Sequence, residues 1–350
     1  MSQIKRLIIC IVLFANLTPS NAQIFFKTHP DINPYQFEII KEKMFSNAAV
    51  TSAHPLASMV GVAIMKDGGN AFDAAIAVHF ALAVVHPSAG NIGGGGFLLA
   101  REKNGKLIGY DFREAAPAKA SRDMYLDENG NPIDTKSLEG PLASGIPGSV
   151  AGIFSAHSHA KLPMAQLIEP AIELAQFGFA LTEKEANDLN DVKEELLKLS
   201  SAPSAYTKKV KWVKGDTIFL PELAATLRRI QQNGLAGFYE GVTADLIIKE
   251  MAHGAGIITK DDLKNYQTKK REPIEFDYKN HHIISFAPPS SGGILIAQMM
   301  KMIAPFNIAS MGFQSPAAIG LMVESQRRAY ADRAEHMGDP DFWKVPTHTL

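Results

Sequence analysis

The chain has 350 residues, of which 46% are hydrophobic and 20% are charged, a balance typical of a globular protein with room for one large domain or two smaller ones. Its formal net charge is −1, so it lacks the strongly basic composition of nucleic-acid-binding proteins. Small solutes are therefore the favoured ligands, and no nucleic-acid partner is expected.

The N-terminal residues have the pattern of an export signal. Lys5 and Arg6 precede an apolar run at 7–17 that is short for a bilayer span, and Ser20-Asn21-Ala22 supplies the small residues of a cleavage site. We predict a cleaved signal peptide over 1–22 and a periplasmic or secreted chain from residue 23. An uncleaved membrane anchor is the alternative.

Thiol and metal chemistry are not expected in the exported chain. Its only cysteine, Cys10, would leave with the signal peptide, which removes disulfides, thiolate nucleophiles and cysteine metal sites. The sequence has no His-Glu-x-x-His pattern. The acidic stretch at 127–130 has its glycine misplaced for a calcium loop and lacks the closing glutamate, so a turn is predicted there.

Two helices separated by glycines are predicted next in the chain. After a predicted strand at 48–52, Pro55 occupies a good first helical position, and the following apolar residues repeat with a helical period. Gly68-Gly69 ends that helix, and Asn70 is a good N-cap for the next one. Residues 71–85 are apolar almost all round, which predicts a buried helix.

Four consecutive glycines at 93–96 connect the buried helix to a predicted strand at 97–101. Glycine loses the most backbone entropy on folding, so such a run is expected where backbone segments must approach closely. Tight packing beside a site is the favoured interpretation. A phosphate-binding loop is the alternative, although no Gly-Lys-Ser/Thr follows and a helix, not a strand, precedes the glycines. Asn104-Gly105 then predicts a hairpin to a second strand at 106–112.

Helices dominate the rest of the chain. The predicted helices cover 171–177, 183–199, 222–232, 242–252, 261–266, 294–303 and 316–336, and a hairpin pairs 274–278 with 283–286. The helix at 183–199 is charged and predicted to be exposed, whereas one face of 316–336 is apolar. Strands and helices mix without a regular βαβ rhythm, so the predicted fold class is α+β with layered sheets and helices.

Arg113, at the end of the second predicted strand, is the strongest candidate for ligand binding. A guanidinium offers planar paired donors that match a carboxylate, and lysine cannot reproduce them. From the residues alone, a structural ion pair with Asp111 or Glu114 is the alternative.

The other polar candidates have structural interpretations. His79 lies in the apolar helix and is expected to be a core histidine, and His281-His282 is expected at the surface of a hairpin. Ser290-Ser291-Gly292-Gly293 offers glycine amides of the kind used in oxyanion holes. We favour a helix start in which one of the two serines is the cap.

The motifs of residues 67–97, which include Asp-Gly-Gly-Asn and the four glycines, together resemble the γ-glutamyltransferases (glutathione hydrolases) of the N-terminal-nucleophile hydrolase superfamily. The likeness continues in order through 111–114, 145–148, 169–171, 256–259, 288–293 and 330–333. It runs from about residue 45 to residue 350. The resemblance implies a four-layer αββα sandwich, to which residues 23–350 would contribute a large-subunit portion that is incomplete without the small subunit.

The resemblance also implies the chemistry. Arg113 would hold the α-carboxylate of the γ-glutamyl group, and a threonine at the N-terminus of the small subunit would attack the γ-carbonyl. Water or an amino-acid or peptide acceptor would then release the glutamyl group, with glutathione as the usual donor and no cofactor. That threonine is expected some tens of residues beyond residue 342. Thr347 and Thr349 are not credible nucleophiles, so no catalytic residue is assigned to this chain.

Two other functions stay open from the sequence. One is a remnant that binds glutamate or glutathione without catalysis, and the other is part of a related amidase such as a cephalosporin acylase. The Asp-Phe-Arg-Glu motif at 111–114 favours γ-glutamyl substrates. By itself the chain is expected to be inactive and, because the small subunit would cover apolar faces, poorly soluble. A truncated reading frame, a split gene and a partial record would each be compatible with this sequence.

Overall fold

The computed structural model describes residues 24–42 and 44–347, so the predicted signal peptide and Thr349 lie outside the described residues. Helices and short antiparallel strands are mixed along this part of the chain, in agreement with the predicted α+β class. The helices are α1 (Phe25–Thr28), α2 (Pro55–Lys66), α3 (Ala71–Val85), α4 (Asp134–Leu138), α5 (Ser149–His157), α6 (Met164–Phe177), α7 (Glu183–Leu199), α8 (Pro221–Asn233), α9 (Ala236–Tyr239), α10 (Gly241–His253), α11 (Lys260–Lys264), α12 (Gly292–Ile303) and α13 (Pro316–His336). The strands are β1 (Phe97–Arg101), β2 (Leu107–Asp111), β3 (Phe179–Ala180), β4 (Thr217–Ile218), β5 (Lys269–Lys270), β6 (Ile274–Tyr278) and β7 (His281–Ser285).

Helix α3 occupies the centre of the main core, as its all-round apolar sequence predicts, and packs against α2, α5 and α6. Its start is a capping box, in which the Asn70 side chain accepts from the Asp73 amide and Asp73 accepts from the Asn70 amide at 2.7 Å. The buried Asp73 carboxylate also accepts from the amides of Lys161 and Leu162, at 3.0 and 2.8 Å. One side chain therefore both starts α3 and holds the connection between α5 and α6 against it.

The sheet that carries the candidate site has the antiparallel order β1-β2-β5. The predicted hairpin is present, with Phe97 opposite Asp111, Arg101 opposite Leu107, and Gly105 in the turn at a φ of 89°. The short strand β5 pairs Lys269 with Asp111 on the other edge of β2. Helix α5 lies against this sheet, and Phe72 of α3 packs against its buried residues, which fixes the position of the sheet relative to the core.

Two predicted elements differ from the structure. Residues 48–52 form no strand, because no strand among the described residues pairs with them; Val50 instead packs its side chain close to Gly61 of α2. The helix predicted at 171–177 begins earlier, at Met164, and continues through Pro170. Leu167 and Ile172 are fully buried on either side of the proline, so burial outweighs the backbone hydrogen bond that proline cannot donate.

The apolar face of α13 is exposed in the described part of the chain. Helix α13 packs against α12, but its apolar residues Ile319, Met322, Val323 and Tyr330 are 45%, 42%, 46% and 58% exposed. Contiguous exposed apolar residues of this kind usually mark a contact surface.

Among the described residues, no helix combines the length and the apolar character that a bilayer span would require.

His79 is a core histidine, as predicted. Its ring lies 6.4 Å from that of Phe112, and its Nε2 has no hydrogen-bond partner in the described residues. Burial lowers the pKa of His79 below its ordinary value of 6.5, and a hydrogen bond with the Asn91 backbone only partly opposes that shift. The neutral imidazole is therefore the form that fits the core.

We expect His79 to make folding stability depend on pH. Since its pKa is lower in the folded than in the unfolded chain, its full contribution is present above pH ~6.5 and decreases as the pH falls toward the folded pKa. The slope from one such group is at most about 1.4 kcal/mol per pH unit. In urea unfolding at several pH values, the free energy of unfolding should fall less steeply toward acid pH in His79→Gln than in the parent protein. His281→Gln, at an exposed position, serves as the control. Equal slopes in His79→Gln and the parent chain would contradict this role.

Candidate functional site

Arg113 lies two residues beyond the end of β2, where the chain leaves the sheet. Its side chain is exposed, and its guanidinium makes no hydrogen bond or ion pair with any residue in 24–42 or 44–347. The alternative from the sequence, an ion pair of Arg113 with Asp111 or Glu114, is not formed with either carboxylate, and Asp111 pairs with Arg271 instead, with Nε 3.1 Å from Oδ2. The guanidinium is thus available to a ligand.

The backbone around Arg113 is held from both sides. Its N–H donates to Oδ1 of Asp111 at 3.1 Å, and its carbonyl accepts from the hydroxyl of Tyr266 at 2.8 Å. The preceding residue, Phe112, extends the β1–β2 ladder by donating to the Gly96 carbonyl at 3.0 Å and accepting from the Gly96 amide at 3.3 Å. The cation therefore projects from a fixed point, which is what carboxylate recognition requires.

Three glycines let the backbone segments around Arg113 come together; we call Gly95, Gly148 and Gly152 the glycine cradle. A Cβ on Gly95 would lie 2.6 Å from the Phe112 carbonyl oxygen, and one on Gly148 only 2.1 Å from the same atom. A Cβ on Gly152 would lie 2.2 Å from the Phe112 ring. The close approach predicted for the glycine run is confirmed at Gly95.

The amides at the start of α5 are already occupied. The Gly94 carbonyl accepts from the Gly148 amide at 2.7 Å and from the Ser149 amide at 2.9 Å. These are donors that a helix start would otherwise offer to a phosphate. The glycine loop therefore packs on the start of α5 through the Gly94 carbonyl, which agrees with the favoured interpretation.

Tyr266 is a neutral hydroxyl donor in this site. Burial is the main cause that raises its pKa well above the ordinary value, and the nearby Tyr239, Asp111 and Glu114 raise it further. Its ring stacks on that of Tyr239, with 6.1 Å between centroids and 5° between planes. The Tyr239 hydroxyl in turn donates to the Pro147 carbonyl at 2.9 Å, which fixes the glycine cradle to the same stack.

Sequence reasoning did not identify Arg271 and Asp341, which together hold Asp111 beside Arg113. Arg271 holds Asp111 with Nε and grips Asp341 with its two terminal nitrogens, at 2.8 and 2.9 Å. Lys269 also contacts Asp341. Hydrogen bonds from Arg271 and Lys269 hold the pKa of Asp341 far below its usual range. Only the unusual Asp-Pro-Asp stretch at 339–341 marks this segment in the sequence, and nothing there names a partner 70 residues away.

The remaining polar candidates have structural roles. Ser290 accepts from the Gly292 amide at 3.4 Å at the start of α12, whereas Ser291 accepts from Arg333 at 3.3 Å and caps nothing with its side chain. The predicted helix start is thus confirmed, whereas the N-cap residue Ser291 makes no side-chain cap hydrogen bond. Asp127 accepts from the amides of Asn129 and Asn131, both at 2.8 Å, as a turn does. No cluster of metal-ligating side chains occurs in the described ranges.

The arrangement of side chains around Arg113 is suited to binding a ligand and not to nucleophilic attack on it. The side chains that the described structure places around Arg113 are two carboxylates and a neutral phenol. Such a set can hold a small anion through a planar fork and can accept a neighbouring ammonium at Glu114. A bond-breaking nucleophile would have to come from elsewhere.

Comparison with known proteins gives a consistent result. The gamma-glutamyltranspeptidase family model matches residues 57–350. The glutathione hydrolase proenzyme of Escherichia coli (strain K12) is 46% identical over 304 residues, which are 86% of this chain and 52% of that protein. The acylase ACY 1 proenzyme of Pseudomonas sp. (strain V22) is 36% identical over 313 residues, which are 87% of this chain and 56% of that protein. The chain thus spans about half the length of these curated relatives.

A solved structure matches closely in fold. The crystal structure of Helicobacter pylori gamma-glutamyltranspeptidase superposes with a TM-score of 0.85 at 43% sequence identity. The match covers 87% of this chain and 88% of that chain. The α+β fold of the N-terminal-nucleophile hydrolase type is therefore shown for the described residues.

Proposed function

The chain belongs to the gamma-glutamyltranspeptidase family, and from that membership we propose that it is the large-subunit portion of an enzyme that transfers or hydrolyses γ-glutamyl groups. Glutathione and related γ-glutamyl compounds are the proposed donors, and amino acids or peptides are the proposed acceptors. The observation that carries the proposal is the guanidinium of Arg113, which is exposed, unpaired among the described residues and attached to a fixed backbone.

The proposed role of Arg113 is to hold the α-carboxylate of the donor through paired N–H donors. The nucleophile would be a threonine hydroxyl at the N-terminus of the small subunit. Its oxygen bonds to the γ-carbonyl carbon and the amide C–N bond breaks. The free α-amine of the same threonine acts as the base and passes the hydroxyl proton to the departing amine. Attack by water or by an acceptor amine then breaks the ester and restores the hydroxyl. Residues 23–350 would supply binding and positioning, with no cofactor.

The proposed partner is the small subunit of the same precursor. Two surfaces support it: the exposed apolar face of α13, and the outer side of β1, where Phe97 and Leu99 are 38% and 39% exposed. The relative from Escherichia coli is named a proenzyme, which fits a chain that is cut into two parts. We further propose that residues 1–22 are the export signal of a periplasmic or secreted enzyme.

The test compares residues 23–350 alone with the same residues joined to the part of the Escherichia coli relative that lies beyond the matched region. We expect the joined protein to release the aniline from a γ-glutamyl anilide. We expect the lone chain to show no release above buffer and to elute as aggregates in size-exclusion chromatography. Robust turnover by the lone chain would contradict the proposal that the nucleophile belongs to the small subunit.

A related amidase is the second candidate, because the acylase relative is 36% identical. A glutaryl amide keeps the carboxylate that Arg113 would bind but lacks the α-ammonium. Glu114 is exposed beside Arg113 and offers a negative charge to that ammonium. We therefore expect the joined protein to prefer γ-glutamyl over glutaryl amides. The reverse preference would favour the acylase, and ligand binding without any turnover would favour a binding remnant.

A further inference from the structure

Arg271 lies directly after β5, between two carboxylates that come from distant parts of the chain. Its side chain is only 15% exposed, and Asp111 on one side is 6% exposed. On the other side, Asp341 follows the last helix and receives the full fork of the guanidinium. We call this arrangement the Asp341–Arg271–Asp111 bridge.

Asp111 links the bridge to the candidate site. One of its oxygens accepts from Nε of Arg271, and the other accepts from the backbone N–H of Arg113, each at 3.1 Å. A carboxylate this deeply buried needs a counter-ion and hydrogen-bond donors to stay charged. The orientation of Asp111, and with it the hydrogen bond to the Arg113 amide, therefore depends on Arg271.

Arg271 depends in the same way on the segment that follows α13. Its terminal nitrogens are fixed by Asp341, and Lys269 contacts the same carboxylate. A lysine at position 271 could hold one carboxylate but not both, because it lacks a planar fork with a third donor at Nε. Binding both carboxylates at once therefore requires the planar guanidinium of an arginine at position 271.

We propose that Arg271 is a positioning residue for the carboxylate-binding site. Acting through Asp111, it holds the backbone of Arg113, and it is itself held by Asp341. The site for the donor carboxylate is then fully formed only when the segment at 339–343 is docked on β5. This inference rests on the proposed function for the identity of the ligand, but the coupling of these residues does not depend on it.

The coupling is tested by hydrogen exchange at the Arg113 amide, measured on the joined protein, in which the exposed apolar faces are covered. We expect Asp341→Asn and Arg271→Lys to raise the exchange rate of this amide about tenfold relative to the amides of α3. Lys270→Ala is the matched control, since Lys270 is exposed on the same strand and takes no part in the bridge. Referring the rate to α3 separates a local loosening from a general loss of stability.

A kinetic readout on the joined protein tests the positioning role. We expect Asp341→Asn to raise KM for the γ-glutamyl anilide about tenfold while kcat changes by less than about twofold. A merely structural role would lower the amount of active enzyme and leave KM unchanged, which would overturn the proposal. Unchanged exchange at the Arg113 amide would overturn it as well. If the parent joined protein shows no turnover, the proposed function fails, and the exchange experiment still decides whether the bridge exists.

Discussion

Replacement of Arg113 by alanine is expected to weaken γ-glutamyl donor binding ten- to hundredfold, a loss of about 1.5–3 kcal/mol. The expectation follows from a guanidinium that is exposed, unpaired within the described residues and attached to a backbone held by Asp111 and Tyr266. The affinity of the joined protein for a glutamate analogue, measured by calorimetry, gives the result directly.

Two further variants sharpen the Arg113 experiment. Arg113→Lys keeps the charge but loses the paired donors, so most of the affinity should still be lost if the carboxylate is held by a fork. Arg101→Ala removes another exposed arginine at the far end of the same hairpin and should have little effect. An unchanged affinity in Arg113→Ala would refute its role in binding.

Gly152→Ala is expected to destabilise the fold by about 1–3 kcal/mol, although alanine is the better helix former. Gly152 lies inside α5, and its new Cβ would come within 2.2–2.7 Å of three ring carbons of Phe112. Phe112 is only 5% exposed and has no room to retreat. Because Phe112 precedes Arg113, the same change should also weaken ligand binding.

Gly320→Ala is the matched control for Gly152→Ala. Gly320 lies inside α13, and a Cβ there would meet no atom within 4 Å. The free energy of unfolding should therefore rise by about 0.5–1 kcal/mol, the ordinary gain from replacing glycine in a helix. Urea unfolding of both variants, measured in the joined protein, would give the difference in the free energy of unfolding. Equal stability of the two variants would show that the glycine cradle is not tightly packed.

Elements with local signals follow from the order of the amino acids alone. The Asn70 cap and the all-round apolar pattern after it predict the bounds of α3, and Asn104-Gly105 predicts the β1–β2 hairpin. Capping and turn formation involve residues only a few positions apart, so they can be recognised in one short window. The motif at 111–114 is likewise contiguous, and together with the glycine-rich stretch at 67–97 it indicates the family.

Local signals fail where packing across the chain decides. Helix α5 was not predicted, since residues 149–157 contain glycine, serine and β-branched residues that disfavour helices. Its glycine is needed because Phe112 occupies the space where a side chain would be. The passage of α6 through Pro170 has the same cause, because buried neighbours stabilise a helix that propensity alone would end.

The partners of Asp111 are established by the fold and not by any local pattern. From the sequence, Asp111 was a possible ion-pair partner of Arg113; in the fold it binds the Arg113 amide and pairs with Arg271 instead. That pairing joins residues 160 positions apart, and Arg271 is itself held by Asp341 from near the end of the described chain. The residue types indicate that Arg113 can bind a carboxylate. Its guanidinium is unpaired among the described residues because the fold brings Arg271 to Asp111, and no local pattern in the sequence shows that pairing.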